Sequence, residues 1–161
     1  MMKQTSEKTN VMRILEQKRI PYESYSYTNT DAISGMEVAT VLHQDANQVF
    51  KTLVTTGNSK NHYVFLVPVC KELNLKKAAK AVNEKSIEML KSKDLLPLTG
   101  YIHGGCSPIG MKKQFPTVID VSAANFDTII FSAGKIGYQV QVALENLKTV
   151  VPFELADISE G

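Results

Sequence analysis

The chain has 161 residues, 43% hydrophobic and 21% charged, with a formal net charge of +2, which is the balance of an ordinary globular protein with enough chain to bury a core as one domain over residues 1–161. No apolar run approaches the roughly 20 residues of a membrane span, and residues 1–10 are too polar for a signal peptide, so a cytoplasmic protein with no membrane partner is expected. Cys70 and Cys106 are too few for a disulfide framework, and with three scattered histidines and no C-x-x-C they make no zinc site, so neither metal nor cofactor is expected.

Residues 9–19 read as a helix, with Val11, Ile14 and Leu15 on one stripe and Thr9 or Asn10 as its cap. Pro21 follows it, residues 22–27 alternate as a strand, and residues 28–34 are turn-like. A second helix is expected from Ser34-Gly35 to Gln44. Residues 49–56 form a β-rich run in which Val49, Lys51, Leu53 and Thr55 share one face and Phe50, Thr52, Val54 and Thr56 the other. Lys51 therefore lies between apolar neighbours on its own face. It either snorkels to an edge or lines a cavity where its ammonium meets an anion.

Residues 57–61 read as a hairpin turn and residues 63–69 as a returning buried strand. A lysine-rich helix over residues 75–82 is followed by a short strand at 87–90 and a helical turn at 94–98 interrupted by Pro97. The lysines of this region are either a solvated face or a patch that steers a polyanion. Strands are expected at 117–121, 127–132 and 138–142, a short turn or helix at 122–126, a closing helix at 143–150 and an extended piece at 153–158. Hairpins with irregularly interspersed helices exclude strict βαβ alternation, so the fold class is α+β, with a mixed, strongly curved, barrel-like sheet and helices around it.

Between these elements lies Gly104-Gly105-Cys106-Ser107-Pro108-Ile109-Gly110, which can form neither a helix nor an ordinary strand. It is either a tight connection or a shaped loop whose free N–H groups meet an anion or a carbonyl oxygen. Ser132-Ala133-Gly134-Lys135 opens a second glycine turn.

In this order and spacing, Val49-Phe50-Lys51-Thr52-Leu53, Val67-Pro68-Val69, Leu73-Asn74-Leu75-Lys76-Lys77, Thr99-Gly100-Tyr101, the glycine loop, Pro116-Thr117-Val118-Ile119-Asp120 and Ser132-Ala133-Gly134-Lys135 resemble the YbaK/EbsC family. These are aminoacyl-tRNA deacylases related to the editing domain of bacterial prolyl-tRNA synthetases, and the resemblance runs from Lys8 to Asp157. It implies cleavage of the aminoacyl ester of mischarged tRNA, typically cysteine on proline tRNA, with aminoacyl-tRNA as partner and a prolyl-tRNA synthetase as a further one. It implies Lys51 and Gly104 as the catalytic positions. Tyr25, Ser34, Thr52, Gly105, Ser107, Pro108, Ser132 and Gln139 are the implied substrate-binding positions; Tyr25 corresponds without gaps, whereas Tyr27 needs a shift. Two positions depart from the cysteine-specific pattern. Ser34 stands where those relatives carry an aromatic, and Gln139, which cannot ion-pair with an α-ammonium, stands where they carry an aspartate.

No Ser-His-Asp set is evident, and an aminoacyl ester is already reactive, so positioning and oxyanion stabilisation can supply the acceleration. The attacking group is then the substrate's own thiol, a water or a ribose hydroxyl. Two competing readings are a hydrolase with Cys106 as nucleophile beside His103, and a non-catalytic tRNA- or DNA-binding module using the lysine segment.

Overall fold

A computed structural model of the protein describes residues 7–161; part of the polar start read above, residues 1–6, lies outside them. Helix α1 (Asn10–Gln17) begins where the Thr9 side chain accepts from the Met12 N–H, and it buries Val11, Met12 and Leu15. Strand β1 (Tyr22–Ser26) leads to helix α2 (Gly35–Val41), whose first turn is a reciprocal capping box between Ser34 and Glu37. Strands β2 (Phe50–Gly57) and β3 (His62–Pro68) form the hairpin expected around residues 57–61. After β4 (Glu72–Leu73), Asn74 caps α3 (Leu75–Ala81) by accepting from the Lys77 N–H.

Strand β5 (Ile87–Met89) precedes α4 (Ser92–Thr99), which runs through Pro97 without a break. The N–H that proline lacks would have met the carbonyl of the exposed Lys93, which water can serve instead. Residues 100–116 carry no helix or strand. Strand β6 (Thr117–Asp120) and a 3₁₀ turn (Val121–Asn125) lead to the hairpin of β7 (Thr128–Ser132) and β8 (Tyr138–Ala143). The closing helix is a single turn, α5 (Leu144–Leu147), shorter than the periodicity over 143–150 implies. The extended tail divides into β9 (Glu154–Ala156) and β10 (Ser159–Glu160).

The strands make three sheets, ordered β5-β2-β3-β6-β9, β1-β8-β7 and β10-β4. The first is mixed, antiparallel from β5 to β3 and parallel from β3 to β9. The fold is therefore α+β, but the barrel-like closure expected from the sequence is not found. Closing a barrel needs a continuous ladder between edges. Here β5, β9, β1 and β7 are all edges of their sheets, and among the described residues a single parallel bridge, Val49 to Ile130, joins the two larger sheets. Seventeen irregular residues (100–116) precede β6, where a barrel would need further pairing.

Strand β3 is buried on both faces. Val64 and Leu66 join a core with Leu15, Phe50, Ile119 and Phe131, while Phe65 and Val67 join a second with Ala78 and Ile158 under α3. A third cluster packs Val38, Ala39 and Leu42 of α2 against Tyr25, Val49 and Val69. Among the described residues no helix is long and apolar enough to cross a membrane.

The C-terminal tail is tied to this core through Asp120, which is 2% exposed and accepts from the N–H groups of Ile158 (3.0 Å) and Ser122 (3.2 Å). Burial pushes its pKa up, but the hydrogen bonds from Ser122 and Ile158 outweigh that, and the carboxyl ends below its usual 3.8. A depressed folded-state pKa adds stability that is complete above the unfolded value and is lost as pH falls through the folded one. Asp120→Asn is therefore expected to lower unfolding stability at pH 7 by about 1.5–3 kcal/mol. In urea titrations the gap from wild type should shrink progressively below pH 3.8.

Candidate functional site

Strand β5 pairs with β2 only at residues 55–57, so the edge of β2 from Phe50 to Leu53 has no strand beside it. A cleft of about 680 Å³ opens along this edge, walled by the start of α2, by α4, by the glycine loop and by the β7–β8 turn. Lys51, Thr52, Ser34, Gly104, Ser132 and Gln139 all line it, so the structure brings together six of the ten positions singled out in the sequence.

Lys51 pairs across β2–β3 with Val67 and shares its face with Leu53, as the strand reading requires. Its side chain is 29% exposed and its Nζ lies 3.3 Å from the Glu72 carboxylate, itself 78% exposed. An ion pair this open to water adds roughly 0–1 kcal/mol. Thr52 points to the other face, and its buried Oγ1 has no hydrogen-bond partner among the described residues. Such a hydroxyl is costly to bury unless something meets it.

On the facing wall, Gly104 has φ +88°, a conformation that favours glycine. The backbone N–H groups of His103, Gly104 and Cys106 make no hydrogen bond within the described chain, whereas Gly105 N–H donates to the Ile102 carbonyl at 3.0 Å. All three of those unbonded residues line the cleft. Gly105, Ser107 and Pro108 lie behind them, buried and outside the lining. Ser107 is 0% exposed and its Oγ accepts from the Ile109 N–H, so it shapes the loop from within.

The loop is held from below by Tyr101, whose hydroxyl donates to the Ile109 carbonyl at 2.5 Å. A Cβ on Gly134 would come within 3.0 Å of both the Tyr101 ring and Val11, so the second glycine turn closes directly onto the tyrosine that supports the first. At the end of β7, Ser132 Oγ accepts from the Gly134 N–H, and Ser132 pairs in register with Gln139 on β8. Gln139 is 5% exposed, and its Oε1 accepts from Gln44 Nε2 at 2.8 Å. The position thus carries a neutral amide held by a second amide.

Tyr25 is in register with Gln139 but is buried in the α2 cluster, its hydroxyl donating to Gln141, and it is not part of the lining. Tyr27, two residues on, lines the cleft instead. Sequence reasoning also passed over Glu72 and three apolar side chains on the rim, Ile33, Met36 and Met89, which are 86%, 45% and 46% exposed. An apolar residue in the turn-like stretch 28–34 was the signal for Ile33; Met36 on α2 and Met89 on β5 carry none, because a helix or strand position does not show which face is left open.

Cys106 lines the cleft, but burial pushes its thiol up to about 12, so at neutral pH it holds its proton and is a poor nucleophile. Among the described residues no group of three His, Cys, Asp or Glu side chains could hold a metal ion. A second hollow of about 490 Å³, beside α3, β6 and β9, is lined by Tyr63, Val82, Phe153 and Lys148 and shares none of these groups. The lysines of α3 line neither hollow; Lys77 pairs with Asp157.

The family model described as an aminoacyl-tRNA editing domain matches residues 31–150. A protein of Enterococcus faecalis (strain ATCC 700802 / V583), named as a proposed Cys-tRNA(Pro)/Cys-tRNA(Cys) deacylase, EbsC, is 46% identical over 158 residues, covering 98% of this chain and 96% of that one. Among solved structures, one described as a proposed trans-editing enzyme for prolyl-tRNA synthetase superposes with a TM-score of 0.81 at 22% identity, over 97% of this chain and all of the other. A hypothetical protein, APE2540, superposes at 0.85 with 18% identity, over 94% of this chain and all of its own; at such identities these two show the fold. With the family model spanning the cleft from α2 to α5 and a relative matched almost end to end, the chain belongs to the aminoacyl-tRNA editing domain family.

Proposed function

We propose that this protein is a free-standing deacylase that clears mischarged tRNA, cysteine on proline tRNA first among its substrates, by breaking the aminoacyl ester in the β2-edge cleft. The observation that carries the reading is the meeting, in one cleft, of Lys51 with unbonded backbone N–H groups from His103, Gly104 and Cys106. Family membership and the relative's name point the same way.

The roles follow from the chemistry of each group. The N–H groups of the loop are the donors for the ester oxygen as it gains negative charge, because they are unbonded and fixed by Tyr101. Lys51 meets a phosphate or ribose hydroxyl of the terminal nucleotide. Thr52, Ser132 and Gln139 contribute hydroxyl and amide groups to the aminoacyl moiety, and Tyr27 with the apolar rim of Ile33, Met36 and Met89 gives a purine ring a surface to lie on. A cleft of about 680 Å³ has room for an aminoacyl-adenosine end.

Since Cys106 keeps its proton, the attacking group comes from the substrate or from water. With cysteine attached, its thiol sulfur bonds to its own ester carbonyl carbon, the bond from that carbon to the ribose oxygen breaks, and the thiol proton ends on the ribose hydroxyl. The products are a thiolactone and free tRNA. Water performs the same displacement on other aminoacyl groups. Ser34 and Gln139 bear on the choice of amino acid: neither presents an aromatic face or a negative charge to it. The cleft reads the aminoacylated end, and a prolyl-tRNA synthetase is the partner proposed to deliver the tRNA.

Release of labelled amino acid from Cys-tRNA(Pro) is expected to fall about 100-fold in Lys51→Ala, with an unchanged circular dichroism spectrum and melting temperature. Turnover within a few-fold of wild type would remove Lys51 from the mechanism. In the native protein, iodoacetamide at pH 8 should modify the exposed Cys70 and spare Cys106, with a second label appearing only in denaturant. Rapid labelling of Cys106 would restore the thiol-nucleophile reading.

A further inference from the structure

The cleft lining contains one lysine, one carboxylate and one histidine among the described residues, and the lysine and carboxylate, Lys51 and Glu72, face each other at 3.3 Å. Their backbones are held from opposite sides. Lys51 is locked in the β2–β3 ladder opposite Val67. Glu72 sits in the short β4–β10 ladder, directly opposite Glu160.

That ladder is well anchored. The Asn74 N–H donates to the Ile158 carbonyl at 2.8 Å, the Ile158 N–H donates to Asp120, and Lys77 Nζ donates to the Ser159 carbonyl at 3.1 Å. Like charges opposite one another across an antiparallel pair repel. Glu160 is restrained by the Asn74 side chain, whose Nδ2 donates to its Oε1 at 3.2 Å, and the Glu72 carboxylate is turned to Lys51.

From this geometry we propose that Glu72 is the resting counter-ion of Lys51, displaced when a substrate phosphate reaches the lysine, so that Glu72 sets how tightly the cleft holds an anion. The pair is open enough to exchange, since the carboxylate is 78% exposed and can turn into water once the lysine is taken. A bare lysine at the cleft mouth would hold any phosphate, including that of uncharged tRNA after the ester is broken. The counter-ion weakens that grip and favours release. The inference rests on Lys51 being the anion-binding group of the proposed deacylase.

The test uses adenosine 5′-monophosphate, which carries a phosphate and a free ribose as the terminal nucleotide does. It is titrated at low salt into ¹⁵N-labelled wild type, Glu72→Gln, Lys51→Ala and the double variant. Glu72→Gln is expected to bind about two- to five-fold more tightly than wild type, and the gain should narrow at high salt. The double variant should bind no better than Lys51→Ala. Three results would each overturn the proposal: equal affinity in wild type and Glu72→Gln, a gain that persists without Lys51, or nucleotide binding that ignores Lys51 altogether. In deacylation assays the same variant should show its change in KM rather than in kcat, which a merely structural role of Glu72 would not produce. Because nucleotide binding is read without turnover, a wild type that cleaves no aminoacyl-tRNA but shows these shifts refutes the deacylase reading and leaves the counter-ion standing.

Discussion

Strand β3 must be covered on both faces, and the positions of the other elements follow from that demand. Its even residues Val64 and Leu66 and its odd residues Phe65 and Val67 each lie within a separate core, so neither face can meet water. Strand β2 pairs with it along its whole length, Phe50 opposite Pro68 through Thr56 opposite His62. The apolar residues of β2 are divided the same way, Phe50 and Val54 to one core and Leu53 to the other. A slip of one residue would exchange every side chain between faces and drive Lys51 into the core that holds Phe50. The placement of the lysine is thus a by-product of core packing, which fixes it far more firmly than its weak ion pair with Glu72 could.

The opposite wall is positioned by a different kind of contact. Seventeen irregular residues cannot be held by a ladder; buried Cys106, Ile109 and Phe115 anchor them in the core, and Tyr101 reaches the Ile109 carbonyl and packs where a side chain on Gly134 would stand. Both glycine turns therefore converge on one ring, and α1 backs it through Val11. Glycine is required at these points because backbone and ring approach too closely for a Cβ. The consequence for chemistry is that the N–H groups of the loop are left unbonded yet immobilised, the condition under which backbone donors stabilise developing charge without reorganising.

The legibility of this arrangement in the sequence follows the range of the forces involved. Elements set by local periodicity or by a cap, such as α1, α2, α3 and the β2–β3 hairpin, were readable to within a few residues, because 3.6- and 2-residue patterns and Thr9, Ser34 and Asn74 are local signals. The two-residue strands β4 and β10 carry no such signal; they exist because Asp120, 38 residues before Ile158, draws the tail back. Barrel closure was over-read for the same reason, since strand content is local and edge pairing is not. At the site, Lys51, Gly104, Ser132 and Gln139 were implied by the resemblance to a known family, and they do share the cleft. Tyr25 lies within β1 and Tyr27 just past its end at Ser26; strand periodicity would put two residues so spaced on one face, and only register with β8 and packing under α2 bury Tyr25 while Tyr27 lines the cleft. Spacing cannot supply that.

Glu72 shows the same limit from the functional side. In the sequence it is one acidic residue among lysines, with nothing to tie it to Lys51, 21 positions earlier. It becomes part of the cleft because a two-residue ladder stations its backbone there, and that ladder depends on the tail, which in turn depends on a buried carboxylate in β6. The carboxylate at the cleft mouth is therefore stationed by a ladder with residues 159–160, although neither of them lines the cleft. The tail thus bears on the position of Glu72, while the register of β2 keeps Lys51 where it is.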